Sequence, residues 1–253
     1  MINLQDSTGL PLLLNNQDNS LHPAGEIQIS TVEKIKLDVI RPCLLNKTLR
    51  YPLQVYTEYY DICLKSHKTI FTKNKLHYNI ITLPPGLLGI EYNKTHIFAP
   101  DKDRNDITAV IDVVYGNGMV LIQRIKDKGE LDFETEVSFV GVFRVRRGDR
   151  VPIPQKYMYT FINSSNTVLI VCRIYEDDGK IDYRSIRREQ GMSYYFIRKN
   201  ARREIVRNPR YKDMPELKKL KPENYTKKHR LTSSRPIYTQ FIQNPARFKK
   251  MLV

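Results

Sequence analysis

The sequence predicts an all-β protein built around one barrel of two packed antiparallel sheets. Short runs rich in β-branched and aromatic residues recur at intervals of about ten residues, as in sandwiches and barrels. The hydrophobic share of 41% and the charged share of 27% are those of a globular chain. The predicted strands are residues 78–83, 88–93, 108–115, 119–124, 135–145, 157–162, 168–175 and 193–198.

Turn residues separate these runs. Asn117-Gly118, directly after Gly116, tolerates the positive φ angles of a tight hairpin, so it is expected to join residues 108–115 and 119–124 as a hairpin. Gly148-Asp149 and Asp178-Gly179 mark two further turns.

Two different segments flank the predicted barrel. Residues 1–30 are rich in Asn, Gln, Asp and Ser and predict an irregular leader, and residues 51–66 have apolar side chains at helical spacing, which predicts an amphipathic helix. After about residue 207, prolines punctuate short segments, so we expect an extended arm with brief helices that lies against the barrel. The predicted division is an N-terminal leader and helical segment packing on the barrel (1–76), the barrel (77–207) and a basic C-terminal arm (208–253).

Cysteine usage and hydropathy indicate a cytoplasmic protein that does not enter a membrane. The three cysteines, Cys43, Cys63 and Cys172, are scattered and form no CxxC pair, so we expect reduced thiols and neither disulfides nor a thiolate metal site. No apolar run approaches the roughly 18 residues that span a bilayer. Residues 1–14 have no basic residue before their leucines, so no secretion signal is expected there.

The positive charge is concentrated at one end of the sequence. The net charge is +15, yet residues 1–183 carry 22 Lys and Arg against 22 Asp and Glu, whereas residues 184–253 carry 20 against 5. Arginine forks pair with phosphate or carboxylate, and neighbouring tyrosines can stack on unpaired bases. This end therefore predicts an RNA, another polyanion or an acidic protein as partner, held by Arg198, Arg202, Arg203, Arg207 and Arg210. No base-reading signature is present, so RNA would be bound through its backbone.

One segment has the spacing of the second cupin motif. Gly148, Pro154, Tyr159 and Asn163 stand at the positions of the motif's turn glycine, strand-entry proline, metal-binding histidine and asparagine, with Lys156 two residues after the proline. Tyr159 thus occupies the histidine position.

A second segment narrows the resemblance. Residues 82–100 (TLPPGLLGIEYNKTHIFAP) and 116–123 (GNGMVLIQ) resemble the first motif of the cupin-type glucose-6-phosphate isomerases of archaea and some bacteria, which is similar to PPGxxGxEYxKTxGHxHP. Asn208-Pro209-Arg210-Tyr211 and the segment from Pro236 to Phe248 also resemble that family, so the similarity runs from about residue 78 onward. It implies a cupin barrel, a homodimer, and a divalent metal held by three histidines and a glutamate.

This chain departs from the implied ligand set. His96 falls near the first histidine position if Lys94-Thr95 is aligned; if the following proline is aligned, the two histidine positions hold Ile97 and Ala99. The glutamate position is Ala109 and the last histidine position is Tyr159. Because zinc-like sites need about three protein ligands, the sequence predicts no metal and no cofactor.

Two groups of residues could rebuild the site. Asp101, Asp103, Asp106 and Asp112 are acidic residues that could replace ligands, but strand alternation places Asp112 on the opposite face from Ala109. His96 fits a hydrogen-bonded barrel residue or a catalyst. No Ser-His-Asp spacing and no phosphate-binding GxxxxGK loop is present.

Three functions stay open on the sequence. The first is a degenerate member of the family without metal chemistry, acting as a binding or structural subunit, with RNA as one partner. The second is a glucose-6-phosphate isomerase with a rebuilt site. The third is a metal-free sugar-phosphate sensor. No catalytic residue is assigned, and the vestigial substrate pocket is predicted to contain Lys94, Thr95, His96 and Tyr159.

Overall fold

The secondary structure is dominated by antiparallel strands, in a computed structural model that describes residues 1–99, 107–126, 136–176 and 184–252. The strands are β1 (Ile2–Asn3), β2 (Leu12–Leu14), β3 (Leu21–Pro23), β4 (Ile27–Gln28), β5 (Thr31–Lys36), β6 (Gln54–Tyr60), β7 (Cys63–Leu64), β8 (Leu76–Leu83), β9 (Leu87–Leu88), β10 (Glu91–Lys94), β11 (Ile107–Tyr115), β12 (Asn117–Ile125), β13 (Val137–Arg146), β14 (Arg150–Pro154), β15 (Met158–Asn163), β16 (Leu169–Glu176), β17 (Tyr194–Lys199), β18 (Arg202–Arg207) and β19 (Lys218–Leu220). The helices are α1 (Gln5–Thr8), α2 (Leu37–Ile40), α3 (Lys68–Asn74), α4 (Arg184–Arg188), α5 (Pro222–Lys228), α6 (Ile237–Gln243) and α7 (Pro245–Leu252).

Two sheets enclose the core of the barrel. One has the strand order β14-β11-β16-β8-β6-β5; the other runs β18-β17-β10-β15-β12-β13-β19, with β9 paired to β10. Inward-pointing residues from both sheets form a single apolar cluster, for example Ala109, Ile111 and Val113 of β11 with Val120 and Ile122 of β12. The alternation of side chains along each strand therefore produces the predicted barrel.

The outer face of the six-stranded sheet is covered by the N-terminal and C-terminal segments. Leu4 and Leu12 of the former and Phe241 and Phe248 of the latter share one buried cluster with the outward residues of the sheet, such as Val110. The predicted C-terminal arm is thus folded against the barrel through α6 and α7.

A buried ion pair fastens this C-terminal segment to the sheet. Arg150 Nε lies 3.3 Å from Asp112 Oδ2, and the backbone N–H of Ile237 donates to the same oxygen at 3.0 Å. The Arg150 guanidinium also donates to the backbone carbonyl oxygens of Leu231, Ser233 and Arg235. Asp112 therefore faces away from the barrel interior, as its spacing from Ala109 predicts.

The helix predicted over residues 51–66 is wrong. Residues Gln54–Tyr60 form strand β6 and Cys63–Leu64 form β7. Strand β6 lies between β5 and β8, so residues 55–59 are buried without interruption. Continuous burial hides the polar alternation that marks a half-exposed strand, and the remaining apolar spacing resembles that of a helix.

The irregular leader predicted for residues 1–30 is also wrong. Strands β1, β2 and β3 pair as a small antiparallel sheet, held by leucines that are buried in the core. Strands β5 and β6 extend the six-stranded sheet, so residues 1–76 contribute strands to the barrel and are not only a helical segment packed on it.

The hairpin predicted at Asn117-Gly118 is wrong as well. Strand β11 pairs with β14 and β16, whereas β12 pairs with β13 and β15, so the chain crosses from one sheet to the other at this point. Gly116 makes the corner with a φ of 74°, and both Asn117 and Gly118 already belong to β12. The turn at Gly148-Asp149 is present between β13 and β14, and Asp178-Gly179 lies outside the described residues.

Within the described ranges, no helix has the length and apolar character required to cross a membrane. All three cysteines are free and buried.

Candidate functional site

A buried charge pair lies inside the barrel. Arg173 of β16 is 2% exposed and Glu58 of β6 is 0% exposed, and Arg173 Nη1 lies 3.3 Å from Glu58 Oε1. Arg173 Nε donates to the Tyr159 hydroxyl oxygen at 3.0 Å. Asn79 Nδ2 donates to Glu58 Oε1 at 2.8 Å and to the Tyr175 hydroxyl oxygen at 2.9 Å. The fixed positive charge of the interior is thus a guanidinium compensated by a carboxylate.

Aromatic rings surround this guanidinium. Arg173 Cζ lies 3.9 Å from the ring centroid of Phe98, 4.2 Å from that of Tyr175 and 5.7 Å from that of Tyr159. The faces of aromatic rings carry partial negative charge and attract a cation at these distances. Phe98 and Tyr159 also stack on each other, with centroids 5.1 Å apart. The cation is therefore held by rings as well as by hydrogen bonds.

His96 borders this cluster as a neutral imidazole. Its Nδ1 shares a hydrogen bond with the Tyr56 hydroxyl, and its ring centroid lies 4.1 Å from that of Phe98. Burial lowers the pKa of His96 to about 3, and the positive charge of Arg173 acts in the same direction. A proton on this ring is disfavoured near neutral pH, so His96 acts in the interior as a hydrogen-bonding group without charge.

Side-chain direction decides between the two alignments of the first motif. His96 and Phe98 contact the inner cluster, whereas Ile97 and Ala99 pack on the outer face of the eight-stranded sheet. The two histidines of the motif are two residues apart, and both must point inward to bind a metal. In this chain the inward-pointing positions with that spacing are His96 and Phe98.

The residues at the implied ligand positions do not fit a divalent metal. Of the four ligand positions that the resemblance implies, His96 alone has a ligand side chain, and the others hold Phe98, Ala109 and Tyr159. Arg173 lies beside two of these positions, donating to Tyr159 and packing on Phe98, and its positive charge would repel a second cation there.

Other candidate ligands do not assemble in the described ranges, where no group of three His, Cys, Asp or Glu side chains is placed to hold a metal. Asp112 is committed to Arg150 on the outer face. Asp101, Asp103 and Asp106 lie outside the described residues.

The four residues of the predicted substrate pocket do not all meet. His96 and Tyr159 face the barrel interior. Lys94 instead forms an ion pair with Glu91 and donates to the Cys43 carbonyl oxygen at 2.9 Å. Thr95 Oγ1 lies 3.1 Å from Thr160 Oγ1. The space beside Lys94 and Thr160 has a volume of about 10 Å³, which is too small for a sugar phosphate.

The basic residues predicted to bind a partner lie mainly on one hairpin. Strands β17 and β18 pair around Asn200 and Ala201, whose φ values are 49° and 59°. Of the five predicted arginines, Arg198 is on β17 and Arg210 follows β18, where its Nε donates to Gln190 Oε1 at 3.0 Å. The other three are exposed on β18, namely Arg202, Arg203 and Arg207.

A wide groove runs beside this hairpin. Its volume is about 810 Å³, and it is lined by residues of β12, β13, β18 and β19. Five cationic side chains line it, namely Arg144, Arg146, Arg203, Lys219 and Lys221. Of the five predicted arginines, Arg203 therefore lines a cavity large enough for an extended ligand.

Arg173 and Glu58 were not found by sequence reasoning. A usable signal was present, because Arg173 is the one charged residue in the run Leu169–Tyr175, which is otherwise apolar apart from the tyrosine hydroxyl. Glu58 lies in a segment that was predicted as a helix, so its inward position was hidden.

Comparison with known proteins gives one family and several distant structures. Residues 47–215 match the family model described as glucose-6-phosphate isomerase. No curated protein matches in sequence. Similar solved structures include recombinant pro-11S globulin of pumpkin (11% identity, 62% of this chain, 34% of that chain, TM-score 0.35). A Bacillus subtilis oxalate decarboxylase is similar over 51% of this chain and 28% of its own, at 12% identity and a TM-score of 0.32. The chain spans about a third of the length of these structures.

Proposed function

This chain belongs to the glucose-6-phosphate isomerase family, and we propose that it is a member that has lost its metal chemistry and serves as a binding or structural subunit. Its barrel is a cupin barrel, in which the family's reaction would need an interior ligand set.

The observation that carries the proposal is the position of Arg173. Its guanidinium lies among Phe98, Tyr159 and Tyr175, and it donates to the Tyr159 hydroxyl in the position that the resemblance gives to a ligand. A divalent ion at this point would meet a fixed positive charge at contact distance, which costs on the order of several kcal/mol. Arg173 and Glu58 thus compensate each other's charge in the described part of the interior.

Metal analysis of the purified protein tests the first half of the proposal. We expect far less than one divalent ion per chain after expression in medium supplied with iron, zinc, manganese and nickel. The His96→Ala variant serves as the matched control, because it removes the one ligand side chain that remains. A content of about one ion per chain that falls in this variant would contradict the loss of the site.

A coupled assay with fructose 6-phosphate tests the second half. A metal in such a site polarises the substrate oxygens and supplies several kcal/mol of transition-state stabilisation, so its loss should remove most of the rate. Turnover above about 1 per second would be in the range of working enzymes and would restore the isomerase with a rebuilt site.

A metal-free sugar-phosphate sensor is the remaining alternative. It would use Lys94 and Thr95 for the phosphate, but the Lys94 ammonium is buried against Glu91. Thermal unfolding with glucose 6-phosphate in excess would reveal a sensor, since a ligand that binds the folded state raises Tm. We expect no shift.

The binding face in this proposal is the basic hairpin of β17 and β18. Its arginines are exposed, and its strand pairs set cations opposite each other, which favours an anionic partner, either RNA or an acidic protein. A homodimer, which the family resemblance implies, is a separate expectation that sedimentation velocity would test.

A further inference from the structure

Strand β18 is the end strand of the eight-stranded sheet. Its partner β17 occupies one edge, and residues 194–199 pair with residues 207–202 in antiparallel register. Among the described residues no strand pairs with its other edge, which carries a row of backbone N–H and C=O groups. An open edge of this kind is a template for another strand, and natural proteins commonly protect it with charge.

Positively charged side chains lie directly opposite each other on the two strands of this hairpin. Arg198 is directly opposite Arg203, and Lys199 is directly opposite Arg202. Like charges in direct cross-strand pairs destabilise a hairpin. Ala201 adds a further cost, because its left-handed φ of 59° is unfavourable for a residue with a side chain. A partner that brings negative charge to this edge would relieve the repulsion.

The face of β18 that borders the groove also carries an apolar side chain. Ile205 is 43% exposed and stands between Arg203 and Arg207 on that face. Three acidic residues also line the groove, namely Asp149, Glu204 and Glu223. Any anionic ligand is repelled by these carboxylates, but a phosphate backbone carries its charge continuously and gains little from the isoleucine. A peptide strand that alternates acidic and apolar residues can place its carboxylates beside the arginines of β18 and its apolar side chains beside Ile205.

We propose that β18 binds an extended acidic polypeptide segment, which adds to the edge of the sheet and lies along the groove. The segment would set glutamate or aspartate beside Arg203 and Arg207 and an apolar residue beside Ile205. This inference rests on the proposed role as a binding subunit and names the chemical class of its partner. A second copy of this chain fits poorly, because two β18 strands would set arginine against arginine.

A labelled, end-capped octapeptide of alternating glutamate and valine is the probe. Fluorescence anisotropy with the full chain at about 50 mM salt should show saturable binding, and a peptide with lysine in place of glutamate should not bind. Two further versions of the glutamate peptide carry N-methyl groups on every second amide. One is methylated at the odd-numbered amides and the other at the even-numbered amides, so together they cover both possible pairing registers. Strand addition requires that at least one of them loses binding, because its amides can no longer pair with β18.

Variants of the protein locate the site. Arg203→Gln with Arg207→Gln should weaken binding about fivefold to tenfold, the effect of losing two opposite-charge pairs. Lys249→Gln with Lys250→Gln is the matched control, since it removes the same charge from the exposed side of α7 and should leave affinity unchanged. Hydrogen exchange at the amides of β18 should slow when the peptide is bound.

Three results would overturn the inference. The first is the absence of glutamate-peptide binding. The second is that both N-methylated peptides bind as tightly as the unmethylated peptide, which would indicate charge attraction without strand addition. The third is that a 12-nucleotide oligouridine binds more tightly than the peptide and loses affinity in the Arg203 and Arg207 variant, which would make the hairpin a nucleic-acid surface. None of these results bears on metal content or isomerase activity, so the proposed loss of metal chemistry stands or fails separately.

Discussion

Arg173 carries a positive charge into the barrel interior with almost none of its surface exposed. Transfer of a charge from water to such a site is expensive, and it is tolerated only where a partner charge and hydrogen bonds replace the lost hydration. Glu58 supplies the charge, and Tyr159 accepts the hydrogen bond from Nε. The pair therefore contributes little net stability while intact and much instability if one member is removed.

Arg173→Met is expected to lower the free energy of unfolding by about 3–5 kcal/mol, because Glu58 would keep a buried charge without its partner. Glu58→Gln should be similarly damaging. The double variant removes both charges and should cost clearly less than the two single losses together. Urea denaturation of the four proteins, followed by circular dichroism, measures this. Losses that simply add would show that the two side chains do not act as a pair.

At this scale a motif assigns single positions but not contacts between side chains. Ala109 and Tyr159 were found because a motif fixes where its ligands belong. The contact between Glu58 and Arg173 joins residues far apart in sequence, and no motif predicts it. It depends on the pairing of β6, β8 and β16, which only the folded sheet supplies.

Strands β11 and β12 show how one turn determines the architecture. A hairpin at this turn would have made them neighbours in one sheet, but Gly116 instead turns the chain from one sheet into the other. A Cβ atom at Gly116 would lie 2.1 Å from the carbonyl oxygen of Val168, and the φ of 74° is itself unfavourable for other residues. Close approach and left-handed backbone both require glycine here.

Gly116→Ala should therefore destabilise the protein by about 3 kcal/mol or more, since steric overlap adds to the backbone penalty. Gly148→Ala is the matched control. It has a φ of 90° but no atom within 4 Å of an added Cβ, so only the backbone penalty of about 1–2 kcal/mol applies. Midpoints of urea unfolding compare the two variants. Equal losses would mean that the contact with Val168 relaxes at no cost.

Strands β11, β12, β13, β15, β16 and β17 were predictable because each is an apolar run ended by turn residues, whereas β14, β18 and β19 were not predicted. The run predicted at 88–93 is in fact two short strands, β9 and β10, which pair with each other around Gly89. Strand β6 was missed because burial on both faces removes alternation. The hairpin error has a different origin, since Asn-Gly reports a permitted backbone conformation but not the sheet to which the next strand belongs.

Considered as a whole, the molecule uses its C-terminal segment for two purposes. Residues 184–253 carry the excess positive charge, and part of the same segment completes the apolar layer on the six-stranded sheet. Phe241 and Phe248 are fully buried there, and Phe241 packs against Phe71 with ring centroids 4.6 Å apart. Removal of this segment would expose apolar surface as well as remove charge, so truncation cannot isolate the electrostatic contribution.

The two purposes can be separated by substitution. Phe241→Ala should lower the free energy of unfolding by about 3–5 kcal/mol, because it leaves a cavity beside Phe71 and Phe248 in a layer that is packed from several segments. Lys249→Gln with Lys250→Gln changes exposed side chains on the same helical region and should alter stability by no more than about 0.5 kcal/mol.

Chemical denaturation of both variants measures the contribution of each side chain to stability. Binding of the glutamate peptide to the same variants measures the contribution to partner binding. The aromatic variant should retain peptide affinity at temperatures where it is folded, because Phe241 lies on the six-stranded sheet and the hairpin of β17 and β18 extends the other sheet. A stable Phe241→Ala protein would contradict the role assigned to the C-terminal layer. Loss of peptide binding in that folded variant would instead mean that the two sheets are coupled, since a packing defect on one would then have changed the edge of the other.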